Sequence, residues 1–201
     1  MNKIASMFHL MERHVPTLDF YIVRKESVEK DVRAVFHPTE RGWVIRCGQE
    51  PDIRGKPERG MPWRVCSTQE DIIETVKDFY RYLPQFYYVF FHPQRDMVKS
   101  GNLLIDGRLV LVEAVMGWPE GLSHGKEDPQ AAYEFRVPTL FSEPSQIRGK
   151  DSLLSPEELF RIGAQIERNL RYGELSLTHP VCVEWSINRF GQPSAHDIQV
   201  H

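Results

Sequence analysis

Gly101-Asn-Leu-Leu-Ile-Asp106-Gly107-Arg-Leu-Val-Leu-Val-Glu113-Ala-Val-Met-Gly117-Trp-Pro-Glu120-Gly121-Leu-Ser-His-Gly125 is the stretch whose reading decides the fold. Two apolar runs, Gly101 to Ile105 and Arg108 to Val115, flank Asp106-Gly107, the dipeptide most diagnostic of a tight hairpin, because glycine accepts the positive φ such a turn needs. The second run delivers Glu113 towards its end and passes into a loop in which Gly117, Gly121 and Gly125 recur. Glycines let a backbone approach a ligand closely, and successive N–H groups in such a loop can cup a phosphate. The same spacing also describes a surface loop with no ligand.

Working outward, apolar Ile4, Met7, Phe8 and Met11 predict a short amphipathic helix, and Phe20 to Val23 a strand. Val32 to Phe36 fits either a helix end or a strand. Gly42 to Gly48 reads as a short strand, followed by a polar loop from Gln49 to Arg64. Ser67-Thr68-Gln69-Glu70 reads as a capping box opening a helix with Ile72, Ile73, Val76, Phe79, Tyr80 and Leu83 on its apolar face. Phe86 to Phe91 is an aromatic strand, buried on both faces if central. Downstream, Tyr133 to Val137 is a strand, and Ser155-Pro156-Glu157-Glu158 caps a helix running to about Arg171. Val181 to Ile187 and Ala195 to Val200 close the chain as two strands. Segregated helices and hairpins predict an α+β fold.

Two further groups carry possible chemistry. Glu184 lies on the penultimate strand, and Asp197 and Gln199 lie two apart on the last, hence on one side of it. Carboxylate and amide oxygens suit Mg²⁺; a polar outer face of an edge hairpin would look the same. Arg24, Lys25 and Arg46 sit at strand ends, where a cation can grip phosphate or simply be solvated. Ser123 and His124 lack the strand–Ser–helix elbow of a hydrolase. No His-x-x-x-His pair points to zinc.

Composition narrows the classes. The 201 residues are 41% hydrophobic with a net charge of −3, so no basic field marks a nucleic-acid binder. The first hundred residues carry 16 basic and 14 acidic side chains, the remainder 9 and 14. No run approaches the ~20 apolar residues of a membrane span, and no signal-peptide core opens the chain. Cys47, Cys66 and Cys182 are widely spaced and read as reduced thiols of a cytoplasmic protein.

Taken together, Glu113-Ala-Val-Met-Gly117-Trp-Pro-Glu120-Gly121 through Gly125, Pro129 and Tyr133 resembles the glycine-loop signature of the ATP-grasp domain of phosphoenolpyruvate synthase and pyruvate phosphate dikinase. Val183-Glu184-Trp185-Ser186-Ile187 is similar to that family's closing Glu-Trp strand. His14 to Val23 and Val44 to Gly48 occupy the places of its entry motif and of its Val-Arg-Ser-Ser strand. The resemblance implies an ATP-grasp-like pair of small lobes, 1–85 and 86–201, holding ATP and Mg²⁺ between them. It implies Arg46 as a phosphate contact, Glu184 as a metal ligand, and Glu113, Gly117, Glu120, Gly121 and Gly125 as nucleotide-lining residues. Lys25 meets the general need for a phosphate lysine.

The departures matter too. Where the family closes on a glutamine ligand and then an arginine, this chain has His196 or Asp197 and then Gln199. Asp197 can replace the amide oxygen; Gln199 serves only with two extra residues in the turn. The function implied is ATP–Mg²⁺ binding, with phosphotransferase, kinase or ligase activity on a separate acceptor. The alternatives are a nucleotide- or partner-binding domain without turnover, and a purely structural protein. The last predicts Arg46, Glu113, Glu184 and Asp197 scattered rather than assembled.

Overall fold

The computed structural model describes residues 3–49, 61–119, 122, 126–136, 144–149, 152–166 and 179–200. Among these residues no helix is long and apolar enough to cross a membrane. The chain divides into two compact units, one of Leu18–Arg95 with Asn2–Ala5, the other of Asp96–His201 with Ser6–Thr17. The division falls after Arg95 rather than after residue 85, because the aromatic strand belongs to the first sheet.

That sheet has four strands: β1 (Tyr21–Val23), β2 (Trp43–Gln49), β3 (Trp63–Cys66) and β4 (Tyr87–Pro93). Their order is β1-β4-β2-β3, all antiparallel. The aromatic strand β4 is therefore interior, as its composition predicts. Val23, Trp43, Ile45, Val89 and Phe91 bury one face against the helices α2 (Val28–Val35) and α3 (Gln69–Tyr82). The ambiguous segment at 32–36 is the end of α2. Ile72, Ile73 and Val76 form the buried side of α3 with Phe79, Tyr80 and Leu83 packed beside them. Its cap is Thr68, not Ser67: the Thr68 hydroxyl accepts from the Asp71 amide at 3.1 Å, so the motif sits one residue later than expected. Strand β3, whose first two residues fall in the expected polar loop, escapes the sequence pattern because three of its four side chains are exposed on a sheet edge.

The second unit is built on six antiparallel strands in the order β10-β9-β5-β6-β7-β8. They are β5 (Lys99–Asp106), β6 (Leu109–Met116), β7 (Ala131–Arg136), β8 (Ser145–Arg148), β9 (Val181–Ile187) and β10 (Pro193–Val200). Gly107, at φ 55°, makes the β5–β6 turn. One face carries Leu103, Ile105, Val110, Val112, Phe135, Val183, Trp185 and Ile198 into a single core. Leu10, from the N-terminal helix α1 (Lys3–Glu12), joins that core, and Ser6 Oγ donates to the Ile198 carbonyl at 3.1 Å. Leu154, Leu159 and Ile162 cover it from the segment opened by the Ser155 capping box, which is complete. That helix, α4 (Pro156–Leu159), passes into a π-helical turn at Phe160–Ile166. Gly163 lets the turn close onto the Phe135 ring, since a Cβ there would fall 2.0 Å from a ring carbon. The expected continuation to Arg171 lies outside the described residues.

Candidate functional site

Opposite that core, the second sheet presents polar side chains, and the register aligns them. Asn102 pairs with Glu113 on β6 and with Glu184 on β9, and Glu184 pairs with Asp197 on β10. Directly paired residues share a face, so Glu113, Asn102, Glu184 and Asp197 form one row across four strands. The Glu184 and Asp197 backbones are about 5 Å apart, and Glu113 stands two strands from Glu184, roughly 10 Å. Asn102 fills the gap and donates through Nδ2 to Glu113 Oε2 at 3.2 Å. The next row holds Leu111, Leu104, Cys182 and Gln199.

The half-buried Cys182 thiol registers the field of this row. Burial pushes it up to about 11, and the charges of Glu184, Glu113 and Asp197 push in the same direction. Three carboxylates thus act on one point. Among the described residues, however, no three or more His, Cys, Asp or Glu side chains converge closely enough to enclose a metal by themselves. The candidate donors are the carboxylates of Glu184 and Asp197, which pair directly across the strands, with amide side chains on the same face. That composition fits Mg²⁺, which takes one or two carboxylates and completes its shell from water and phosphate oxygens.

A β-bulge lies between Ala195 and Asp197. With it, Asp197 stands opposite Glu184 and Gln199 opposite Cys182. At the end of β6, Gly117 has φ 74° and its amide donates to the Val98 carbonyl at 2.8 Å, while Ser100 Oγ donates to the Gly117 carbonyl. Glu120, Gly121 and Gly125 lie outside the described residues.

Arg46 belongs to the other unit, on the β2–β4 face opposite the Trp43 core. It is exposed, and its row contains Phe90 and, on β1, Ile22. His92, opposite Val44, is buried, and its Nδ1 lies 3.0 Å from the Pro93 carbonyl. Burial pulls this imidazole down to about 4; the Pro93 carbonyl opposes that, and the charges of Arg46, Arg95 and Lys3 add to it. The charges of three cations thus bear on one neutral ring. Sequence reading singles out Arg46 but misses Lys3 and Arg95, which no motif marks. Lys25 is exposed in a 3₁₀ turn (Lys25–Ser27) past the end of β1. Its neighbours Arg24 and Ser27 bind Asp31 at the start of α2.

Asn102 was also missed, although counting outward from the Asp106-Gly107 turn places it opposite Glu113. No protein-family model matches the chain, and no curated protein matches it in sequence. Solved structures do. The D-alanine–D-alanine ligase of Helicobacter pylori aligns at TM-score 0.59 and 11% identity, covering 98% of this chain and 53% of that one. The ADP complex of N5-carboxyaminoimidazole ribonucleotide synthetase aligns at 0.58 and 12%, covering 98% and 44%. The biotin carboxylase domain of the Hydrogenobacter thermophilus 2-oxoglutarate carboxylase, solved with MgADP and bicarbonate, aligns at 0.55 and 11%, covering 99% and 38%. The fold is α+β and ATP-grasp-like. This chain spans about half the length of the first of these proteins and less of the other two.

Proposed function

We propose that this chain binds ATP with Mg²⁺ and serves a ligase-like reaction on a separate acceptor. The observation that carries the reading is the Glu184–Asp197 pair, placed in one row with Asn102 and Glu113 on the face of the sheet opposite the core. A purely structural protein has no need to align these polar side chains in one row. Glu184 and Asp197 would hold the metal, with Gln199 and Asn102 as the nearest amide donors. Bound Mg²⁺ would neutralise phosphate charge and fix the geometry of its oxygens.

On the N-terminal sheet, Arg46 would be the phosphate contact, and Lys3 and Arg95, whose charges bear on His92 as that of Arg46 does, would add to the positive field. Gly117 and Glu113 would line the nucleotide, with Lys25 as the further phosphate cation. The fold's likeness to proteins solved with ADP and MgADP supports the choice of ligand. The finer affiliation with phosphoenolpyruvate synthase and pyruvate phosphate dikinase, and with it a kinase or transferase reaction, draws no support from these neighbours, which are a ligase, a synthetase and a carboxylase domain.

A second reading, binding without turnover, is favoured by one observation. Gln199, at the place where the resemblance leads one to look for arginine, faces the neutral Cys182. Transition-state charge in phosphoryl transfer is commonly stabilised by such a cation. Incubating the protein with Mg–ATP, alone and with cell extract, and following ADP release separates the two readings. ADP formed with extract supports the ligase-like reading. A melting temperature raised by Mg–ATP with no ADP formed supports binding alone, and neither effect overturns both.

A further inference from the structure

The bulge in β10 has a defined partner. Along a regular strand, Ala195 and the next core residue would be separated by one outward-facing side chain. Here Ala195 and Ile198 are both fully buried in the core, and two residues, His196 and Asp197, lie between them. Asp197 stands opposite Glu184. His196 is buried on the same side of the sheet, with Nε2 2.5 Å from Ser186 Oγ, and Ser186 lies 3.4 Å from Ser194 Oγ.

Without the bulge, the residue after Ala195 would itself pair with Glu184. Asp197 would then fall opposite Val183, on the core side. Bulges re-aim side chains in this way beside functional sites.

We propose that the His196–Ser186 hydrogen bond is a positioning device that pins the β10 bulge and so keeps Asp197 opposite Glu184. Its consequence for cation binding rests on the reading of Glu184 and Asp197 as the cation pair. His196 is a positioning residue here: it acts through Asp197. The competing physical explanation is that burial of Ile198 alone fixes the register, in which case His196 and Ser186 are dispensable.

The test uses the full chain, with Mn²⁺ as the probe ion. Nuclear Overhauser contacts between β9 and β10 read the register, and Mn²⁺-induced water relaxation reads affinity. In S186A and H196L the Glu184–Asp197 cross-strand contact should be lost and Mn²⁺ binding weakened by about tenfold, the lower end of what losing a ligand-orienting partner costs. H196Q, whose amide can still reach Ser186, should restore both.

E184Q should abolish Mn²⁺ binding with the register intact. If H196L does not fold, S186A carries the test. Unchanged register and affinity in folded S186A would overturn the proposal. A wild-type chain that binds no Mn²⁺ would overturn the cation reading instead, and the register contacts would still decide the role of His196.

Discussion

His92 shows how one residue reports on its surroundings. It is buried and neutral because water is excluded from it and the charges of three cations bear on it. Its value in the folded chain is depressed from 6.5 to about 4. The unfolded chain therefore takes up the proton first as pH falls. The stability that a neutral His92 contributes is complete above about pH 6.5 and is lost progressively towards pH 4, a span worth roughly 3 kcal/mol. Urea unfolding at pH 7 and pH 4.5 should show this loss, and H92F should remove most of it. An equal acid sensitivity in H92F would mean that other groups govern it.

Cys182 runs in the opposite direction. Its thiol is raised from 9.0 to about 11, so the unfolded chain loses the proton first, and stability falls as pH rises through that window. It should also react slowly with thiol reagents at pH 8. Replacing its strongest neighbouring charge, E184Q, should speed that reaction. No change in rate would place the carboxylate row farther from the thiol than the register indicates.

Strands and helices set a different kind of constraint. Gly101 on β5 is where the backbone of β6 and the Trp185 ring come closest: a Cβ there would lie 1.8 Å from the Glu113 carbonyl oxygen and 2.9 Å from the ring. G101A must push the β5–β6 ladder apart at the Asn102–Glu113 pair. We expect it to destabilise by more than the ~1–3 kcal/mol of ordinary overpacking and to weaken nucleotide binding as well. A melting temperature within a degree or two of wild type would contradict the close approach.

On α3 the prediction is a contrast. T68A should cost about 1 kcal/mol by removing the cap, and S67A almost nothing. The reverse order in chemical denaturation would restore the cap to Ser67.

Much of this was legible in the sequence where local chemistry decides it. Asp106-Gly107 set the hairpin, and the Ser155 box and the apolar face of α3 followed from spacing; on α1, Ile4 and Met7 are buried as expected, but Phe8 and Met11 are exposed and Leu10 is buried in their stead. The face shared by Asp197 and Gln199 followed from alternation. What stayed hidden depends on distant partners. β3 is an exposed edge strand whose pairing with β2 supplies its order. The bulge at His196 appears only when β10 is matched against β9. Lys3, Arg46 and Arg95 all act on His92 through tertiary packing, which no pattern of residue types encodes.

The charge distribution of the whole chain follows these placements. The mildly basic first hundred residues hold the cations that bear on His92, and the acidic remainder holds Glu113, Glu184 and Asp197 on their shared row. Each unit has its own core, so each patch can be altered without dismantling the other. R46A should weaken ATP binding with or without the metal, whereas E184Q should weaken only the metal-dependent part. Ligand that binds the folded state alone also raises its stability, by about 2.7 kcal/mol at a hundredfold excess over Kd.

Isothermal titration of the full chain with ATP, in the presence and absence of Mg²⁺ and repeated on E184Q, tests the central claim most directly. The expected result is saturable binding that Mg²⁺ strengthens in the wild type and no longer strengthens in E184Q. Absence of any binding at millimolar nucleotide, or a Mg²⁺ effect undiminished in E184Q, would contradict it.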